Sequence, residues 1–288
     1  MSFVYLVNFS LLGQTPFTCE GQVWIIDDDN TLMQMSVNNS IVTSIVKSDI
    51  GVEIAAMGFS KIDKMLYGMN PVTHTLYRID ANGNAQKIAT PNMDANLFYL
   101  AGDVTTDGRN FVVIGSDSDG MDSKLFTIDL MSGNFEVTQI SFEKGTRTVD
   151  IGFHPLTSLM YGFDALERRF YTHTLGNTAI ALKAPIFTEY NVKGMYFEAF
   201  GNMFGLGTAL FGSISGLFEV DQTTGATKLI STSGLIPIAD MAACPYSFEM
   251  NSKIIPEVFF PCSDLLFEYA FANQTGELLK DVLLEHEL

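Results

Sequence analysis

The hydrophobic positions of this chain fall in short, strand-length runs, and the runs repeat. Four segments share one pattern: an aromatic-containing strand, a polar turn residue and a glycine. They are Leu76-Tyr-Arg-Ile-Asp80 with Gly83, Leu125-Phe-Thr-Ile-Asp129 with Gly133, Phe170-Tyr-Thr-His173 with Gly176, and Leu217-Phe-Glu-Val-Asp221 with Gly225. A degraded copy, Leu32-Met-Gln-Met-Ser36 with Asn39, precedes them. The turn residues Asn39, Gly83, Gly133, Gly176 and Gly225 are spaced by 44, 50, 43 and 49 positions. Each copy reads as a strand closed by a hairpin turn, in which Asp bonds its own backbone and Gly or Asn takes a positive φ.

Other β-rich runs keep the same period. Val23–Ile26, Met65–Gly68, Phe111–Gly115, Leu159–Gly162 and Met203–Leu206 precede the five copies, and Ile41–Val46, Ala85–Ala89, Phe135–Ile140, Thr178–Leu182 and Thr227–Ile230 follow them. A leading strand opens four units, at Ile54–Phe59, Leu100–Thr105, Val149–Phe153 and Met195–Phe200. The first unit lacks it, and its look-alike, Ile238–Cys244, lies at the far end of the repeat array. Four strands per unit of about 45 residues describes a propeller blade, and a ring of blades must close without an open edge. The displaced strand supplies that closure, which a β-solenoid would not need. The expected fold is all-β: a five-bladed β-propeller of four-stranded blades, closed by strand 238–245 joining the N-terminal blade.

The ends differ from this pattern. Residues 1–14 form an apolar run too short to cross a bilayer, read as a secretory signal peptide whose usual basic start is missing. The propeller then spans 15–250. Residues 251–288 carry Pro256 and Pro261, an alternating Leu265–Phe271 and an Asn273-Gln-Thr-Gly276 turn, expected as a linker followed by the start of an Ig-like sandwich or a C-terminal tail. Of three cysteines, Cys19 precedes the first outer strand and Cys244 ends the closing strand, so a Cys19–Cys244 disulfide would lock the ring. Cys262 is left without a partner, and the spacings exclude a zinc knuckle.

Charge narrows the function. With 16 Lys and Arg against 33 Asp and Glu, the net charge is −17, a field that repels nucleic acid and anionic lipid. No partner of either kind is expected, nor membrane insertion once the leader is cut. His74, His154, His173 and His286 are scattered, and no nucleophile elbow, P-loop or dinucleotide fingerprint occurs. Tyr67, Tyr77, Phe126, Tyr161 and Phe218 recur at repeat positions and read as blade-to-blade packing. Trp24 is the one tryptophan, fewer large aromatics than a sugar-binding surface usually exposes.

Two acidic sets carry candidate chemistry. Alignment of the leading strands on Gly115 and Gly162, and on the His154-Pro155 and Cys244-Pro245 pairs, puts Asp103, Asp150 and Asp240 at one channel level of blades three, four and one. Ala56 and Lys193 fall there in blades two and five. The sharp reading is a ligand or cation site, or an acid/base pair for glycosidic or lactone cleavage; the plain reading is that each Asp caps its strand or bonds the neighbouring blade. Asp117, Asp119 and Asp122 alternate around Gly120 like half of a calcium loop, without the closing Glu, and Asp27-Asp-Asp29-Asn30 is a second acidic turn. Calcium is therefore the one cofactor considered.

The segments TPFTCEGQ, the LYG and LY.ID..TG strands and the tail C.DLLFEYAFANQTGELL resemble a family of secreted bacterial propeller domains that lie near the N-terminus of modular surface proteins, ahead of Ig-like repeats. Their motifs are shared loosely with sugar-lactonase-like and NHL-type propellers. The resemblance implies export and surface display and carries no catalytic residues. The function expected is a non-enzymatic binding or display module for a protein or glycan ligand, secreted or held at a bacterial cell surface. The alternative is a hydrolase using channel carboxylates, with or without calcium.

Overall fold

The computed structural model describes residues 13–19, 22–37, 41–141, 145–176, 180–182, 190–209, 215–233 and 238–244. The leader expected over 1–14, apart from Gly13 and Gln14, and the tail expected over 251–288 lie outside them. Every regular element among the described residues is a strand. In chain order these are β1 (Val23–Ile26), β2 (Leu32–Val37), β3 (Ile41–Lys47), β4 (Ala56–Ser60), β5 (Met65–Met69), β6 (Leu76–Ile79) and β7 (Ala85–Ala89). Next come β8 (Phe98–Val104), β9 (Asn110–Ser116), β10 (Asp122–Asp129), β11 (Val137–Ser141), β12 (Thr148–Phe153), β13 (Met160–Asp164), β14 (Arg169–His173) and β15 (Ile180–Leu182). The last are β16 (Tyr190–Phe197), β17 (Met203–Ala209), β18 (Ser215–Val220), β19 (Thr227–Ser233) and β20 (Asp240–Ala243).

They form five four-stranded antiparallel sheets. Four are simple meanders, β4 to β7, β8 to β11, β12 to β15 and β16 to β19. The remaining sheet has the order β20-β1-β2-β3, so the last strand completes the first blade, with Ile25 paired to Met241. The leading strands pack side by side in a closed circuit, β20 to β4, β8, β12, β16 and back to β20. This is a five-bladed β-propeller, with the closure its repeat pattern requires.

The core lies between blades rather than within them, because each sheet buries both faces against its neighbours. Blades one and two share Trp24, Ile26, Phe59 and Leu66, with Trp24 stacked on Phe59 at 4.9 Å and 12°. Blades two and three share Tyr67, Leu76, Tyr99 and Phe126. Ile114, Leu125, Phe153 and Tyr171 join three to four, and Phe163, Phe197 and Phe218 join four to five. The repeat aromatics are thus buried as expected, except Tyr77, which is partly exposed.

The turns repeat as closely as the strands. Asp80, Asp129 and Asp221 each accept hydrogen bonds from two backbone N–H groups of their own turn. Gly83, Gly176 and Gly225 take φ of +71°, +92° and +78°. In the third blade the left-handed residue is instead Phe135, at +51°, two positions beyond Gly133. That longer turn moves the positive φ off the glycine.

Ring closure has a covalent part. Cys19 and Cys244 are disulfide-bonded, with Cα atoms 5.6 Å apart. The segment before Cys19 also straps blade two. Arg78 Nε donates to Gln14 Oε1 at 2.7 Å, Thr15 N to Asp80 Oδ2 at 3.1 Å, and Phe17 N to the Lys64 carbonyl at 2.9 Å. Phe17 meets Trp24 edge-on at 4.7 Å. The strap and the disulfide together tie the N-terminal segment to the blade pair where the ring closes.

Candidate functional site: carboxylates of the central channel

The strand register fixes the level of each channel residue. Tyr77, Phe126, Tyr171, Phe218 and Met33 pair with Gly68, Val113, Gly162, Gly205 and Ile25. These pair in turn with Met57, Gly102, Ile151, Met195 and Met241 of the leading strands. One residue earlier stand Ala56, Ala101, Asp150, Gly194 and Asp240. Asp150 and Asp240 therefore share a level, while Asp103 lies two residues further along its strand. The counterpart of Gly162 is Val113, not Gly115, because the register follows the aromatic of the third strand rather than the glycine. The counterpart in blade five is Gly194, since an irregularity between Val192 and Gly194 leaves Lys193 out of the pairing.

All three aspartates make the same connection. Asp240 takes the N–H of Met241 at 2.7 Å and that of Met57, in blade two, at 2.5 Å. Asp150 takes Ile151 N at 2.7 Å and Met195 N, in blade five, at 2.6 Å. Asp103 takes Val104 N at 2.7 Å and Phe153 N, in blade four, at 3.1 Å. Each carboxylate satisfies its own strand's next N–H and the matching N–H of the following blade. Leading strands of neighbouring blades do not pair with each other, so these donors need side-chain acceptors. Backbone clamping, the plainer of the two sequence readings, is the geometry found.

Burial sets their charge. Asp150 and Asp240 are fully buried. Loss of solvation raises both carboxyls well above the usual range. Burial raises Asp103 to about 7 against the opposing pull of its two N–H donors. Asp103 is half-buried and lines a small cavity at the C-terminal ends of the leading strands, with Val104, Thr106, Phe153, Phe197 and Ala243. The cavity volume is about 20 Å³, room for one water molecule.

The Asp117–Asp122 segment is also built into the repeat. Asp117 Oδ1 accepts from Asp119 N and Met121 N at 3.0 and 2.9 Å. Asp27 and Asn70 hold the corresponding turns of their blades in the same manner, and Asp164 accepts one N–H of its turn, from Leu166. Asp122 is buried and faces inward, accepting from Thr148 N and Oγ1 in blade four and from Ser116 Oγ. Calcium takes six to eight oxygens; here one carboxylate closes a turn and another joins two blades, a poor fit to that demand. Among the described residues no group of three or more His, Cys, Asp or Glu is arranged to hold a metal ion. Asp122 as a brace between blades three and four, like the Gln14 strap, has no recognisable signal in the sequence, because both depend on contacts between distant segments.

Fold and site together define a repeat propeller whose channel carboxylates join its blades. The chain belongs to the family described as "Repeat of unknown function (DUF6923)", whose profile matches residues 20–243. Comparison with curated proteins gives no match. Among solved structures it is similar to a protein of unknown function from Bacteroides thetaiotaomicron, at 14% identity and TM-score 0.51 over 82% of this chain and 64% of that one. It is also similar to a chain of a nidogen/laminin complex, at 10% identity and TM-score 0.50 over 78% and 99%. Against hydrazine synthase of Kuenenia stuttgartiensis the identity is 13% and the TM-score 0.44, and the match covers 63% of this chain and 49%, about half, of that one. Likeness at these identities concerns the fold.

Proposed function

We propose that the chain is exported and that its propeller is a non-enzymatic binding or display module of a cell-surface or adhesin-like protein. The observation that carries this reading is the use of the channel carboxylates. Asp103, Asp150 and Asp240 each spend both oxygens on backbone N–H groups of two blades. A hydrolase needs two carboxyl groups facing open space for substrate and water, whereas a display module needs a rigid ring and an outer surface. The Cys19–Cys244 bond supports export, since such bonds persist in oxidising compartments. The partner is then a protein or a glycan, met outside the channel. Gln14 grips Arg78, so we place the leader cut on the Gly13 side of Gln14, with the small residue just before it.

The experiment expresses the whole chain in a bacterium, fractionates the cells and measures the mass of the exported form. The same material is screened against glycans and purified extracellular proteins, and against lactones and glycosides with and without calcium. Oxidised protein outside the cytoplasm, starting at Gln14, with binding and no turnover, is the expected result. Turnover that disappears in Asp150→Asn would overturn the proposal in favour of a hydrolase.

A further inference from the structure

The hairpins that follow the leading strands share one end of the propeller, around the channel mouth. Three of them repeat a pattern. Phe59, Phe153 and Phe197, near the ends of the leading strands of blades two, four and five, are buried and line the small cavity beside Asp103. Three residues further on, at the hairpin tips, stand Ile62, Leu156 and Phe200, exposed by 48%, 71% and 53%. The tip of blade three carries Asp107 at that position. Turn positions are ordinarily polar, and exposed apolar groups gathered around one opening mark an interaction surface. The tips are also fixed to one another. Ser60 Oγ donates to the Gly108 carbonyl at 3.1 Å, between blades two and three. Thr106 Oγ1 meets Ser158 Oγ at 2.7 Å, between three and four, and the His154 ring lies 5.3 Å from that of Phe197, between four and five.

Inside this rim lies one carboxylate. Asp103 is half-buried and, among the described residues, forms no ion pair. Each of its oxygens accepts one N–H, whereas a carboxylate has about four acceptor positions, so half of its capacity remains. The cavity of about 20 Å³ takes one water-sized group, and Thr106 and the three phenylalanines share its wall with the carboxylate. A primary ammonium matches this setting: it is as small as water, opposite in charge, and attracted by a carboxylate and by aromatic rings. A guanidinium is larger and planar, a calcium ion calls for several more oxygens, and a neutral glycan leaves the charge unmatched. We propose that the channel mouth is the docking face for a protein partner, which places a lysine ammonium on Asp103 and rests the apolar residues flanking that lysine on Ile62, Leu156 and Phe200. This inference rests on the binding-module reading and names its surface and the chemistry of its partner.

The test is calorimetric titration of the full chain with a synthetic peptide, acetyl-Leu-Phe-Lys-Phe-Leu-amide. Analogues carrying norleucine or arginine in place of the lysine, and n-butylammonium as a free amine, accompany it. The lysine peptide should bind about tenfold more tightly than either analogue, the margin of one charge-assisted hydrogen bond. Asp103→Asn should erase that margin. Ile62→Ser and Leu156→Ser, at exposed tips outside the blade clamp, should weaken the peptide severalfold. Should Asp103→Asn fail to fold, nuclear magnetic resonance of wild type decides: the lysine methylene protons must show cross-relaxation with aromatic-ring protons of the cavity, and its absence rejects the site. No preference for lysine, no binding at millimolar peptide, or a glycan that depends on Leu156 where the peptide does not bind overturns the proposal. Butylammonium binding as tightly as the peptide assigns the cavity to a free amine and overturns the docking face. A protein partner indifferent to both Asp103→Asn and Leu156→Ser overturns this inference alone, whereas turnover lost in Asp150→Asn overturns the binding-module reading as well.

Discussion

Asp122 in blade three holds Thr148 of blade four by two hydrogen bonds to one carboxylate oxygen, at 2.9 Å from the backbone N–H and 2.6 Å from the hydroxyl. Thr148 passes the connection on to the Tyr171 hydroxyl at 2.7 Å. Asp122→Ala would leave a buried N–H and two hydroxyls short of a partner, a loss of about 3 kcal/mol. Asp122→Asn, which keeps one acceptor, should lose roughly a third of that. Denaturant unfolding measures both. Because the carboxylate is spent inside the protein, calcium in excess should leave the melting temperature of wild type unchanged.

Gly58 shows how closely neighbouring leading strands approach. A Cβ there would lie 2.7 Å from the carbonyl carbon of Asp103 and closer still to Val104 N. Backbone of the next blade cannot yield as a flexible side chain can. Gly58→Ala should therefore force blades two and three apart and destabilise by about 1–3 kcal/mol. A change within a few tenths of a kcal/mol, or the gain that an unhindered Gly→Ala in a strand gives, would mean that the blades adjust freely.

The architecture was legible because it is periodic. Five copies of one turn and one displaced strand, Ile238–Cys244, sufficed to predict the number of blades, the closure and the Cys19–Cys244 bond. Level within the channel was less legible. Gly115 looks like the counterpart of Gly162 in sequence, yet the strands pair through Phe126 and Val113, which moves Asp103 two residues away from Asp150. An irregularity before Gly194 likewise displaced Lys193. Such shifts are set by packing across the sheet, which a motif of four or five residues does not encode. An Asp that binds a metal and one that binds an N–H are the same letter, so the sequence left both readings of Asp103, Asp117 and Asp122 open.

The disulfide closes a loop of 225 residues in sequence separation, so its main effect is on the unfolded chain. Cys19→Ser, or reduction of wild type, should lower stability by about 2–5 kcal/mol. The loss should leave the five sheets intact under native conditions, because β20 still pairs with β1 and Asp240 still bonds Met57. Far-ultraviolet circular dichroism before and after reduction checks the second point, and melting temperature the first. A reduced protein with an unchanged melting temperature would show that the strap and β20 already hold the ring.

Asp103, beside the small cavity, gives the stability a pH dependence of its own. Its carboxyl is raised from 3.8 to about 7, chiefly by burial. A folded value above the unfolded one means that the folded state binds the extra proton between those limits. The contribution is therefore complete below about pH 4 and declines as pH rises through about 7. Wild type should be more stable at pH 5 than at pH 8, with part of the change centred near 7. Asp103→Asn should remove that part. Melting curves at half-unit pH intervals check this, and a part centred near 7 that persists in Asp103→Asn would assign it to another group.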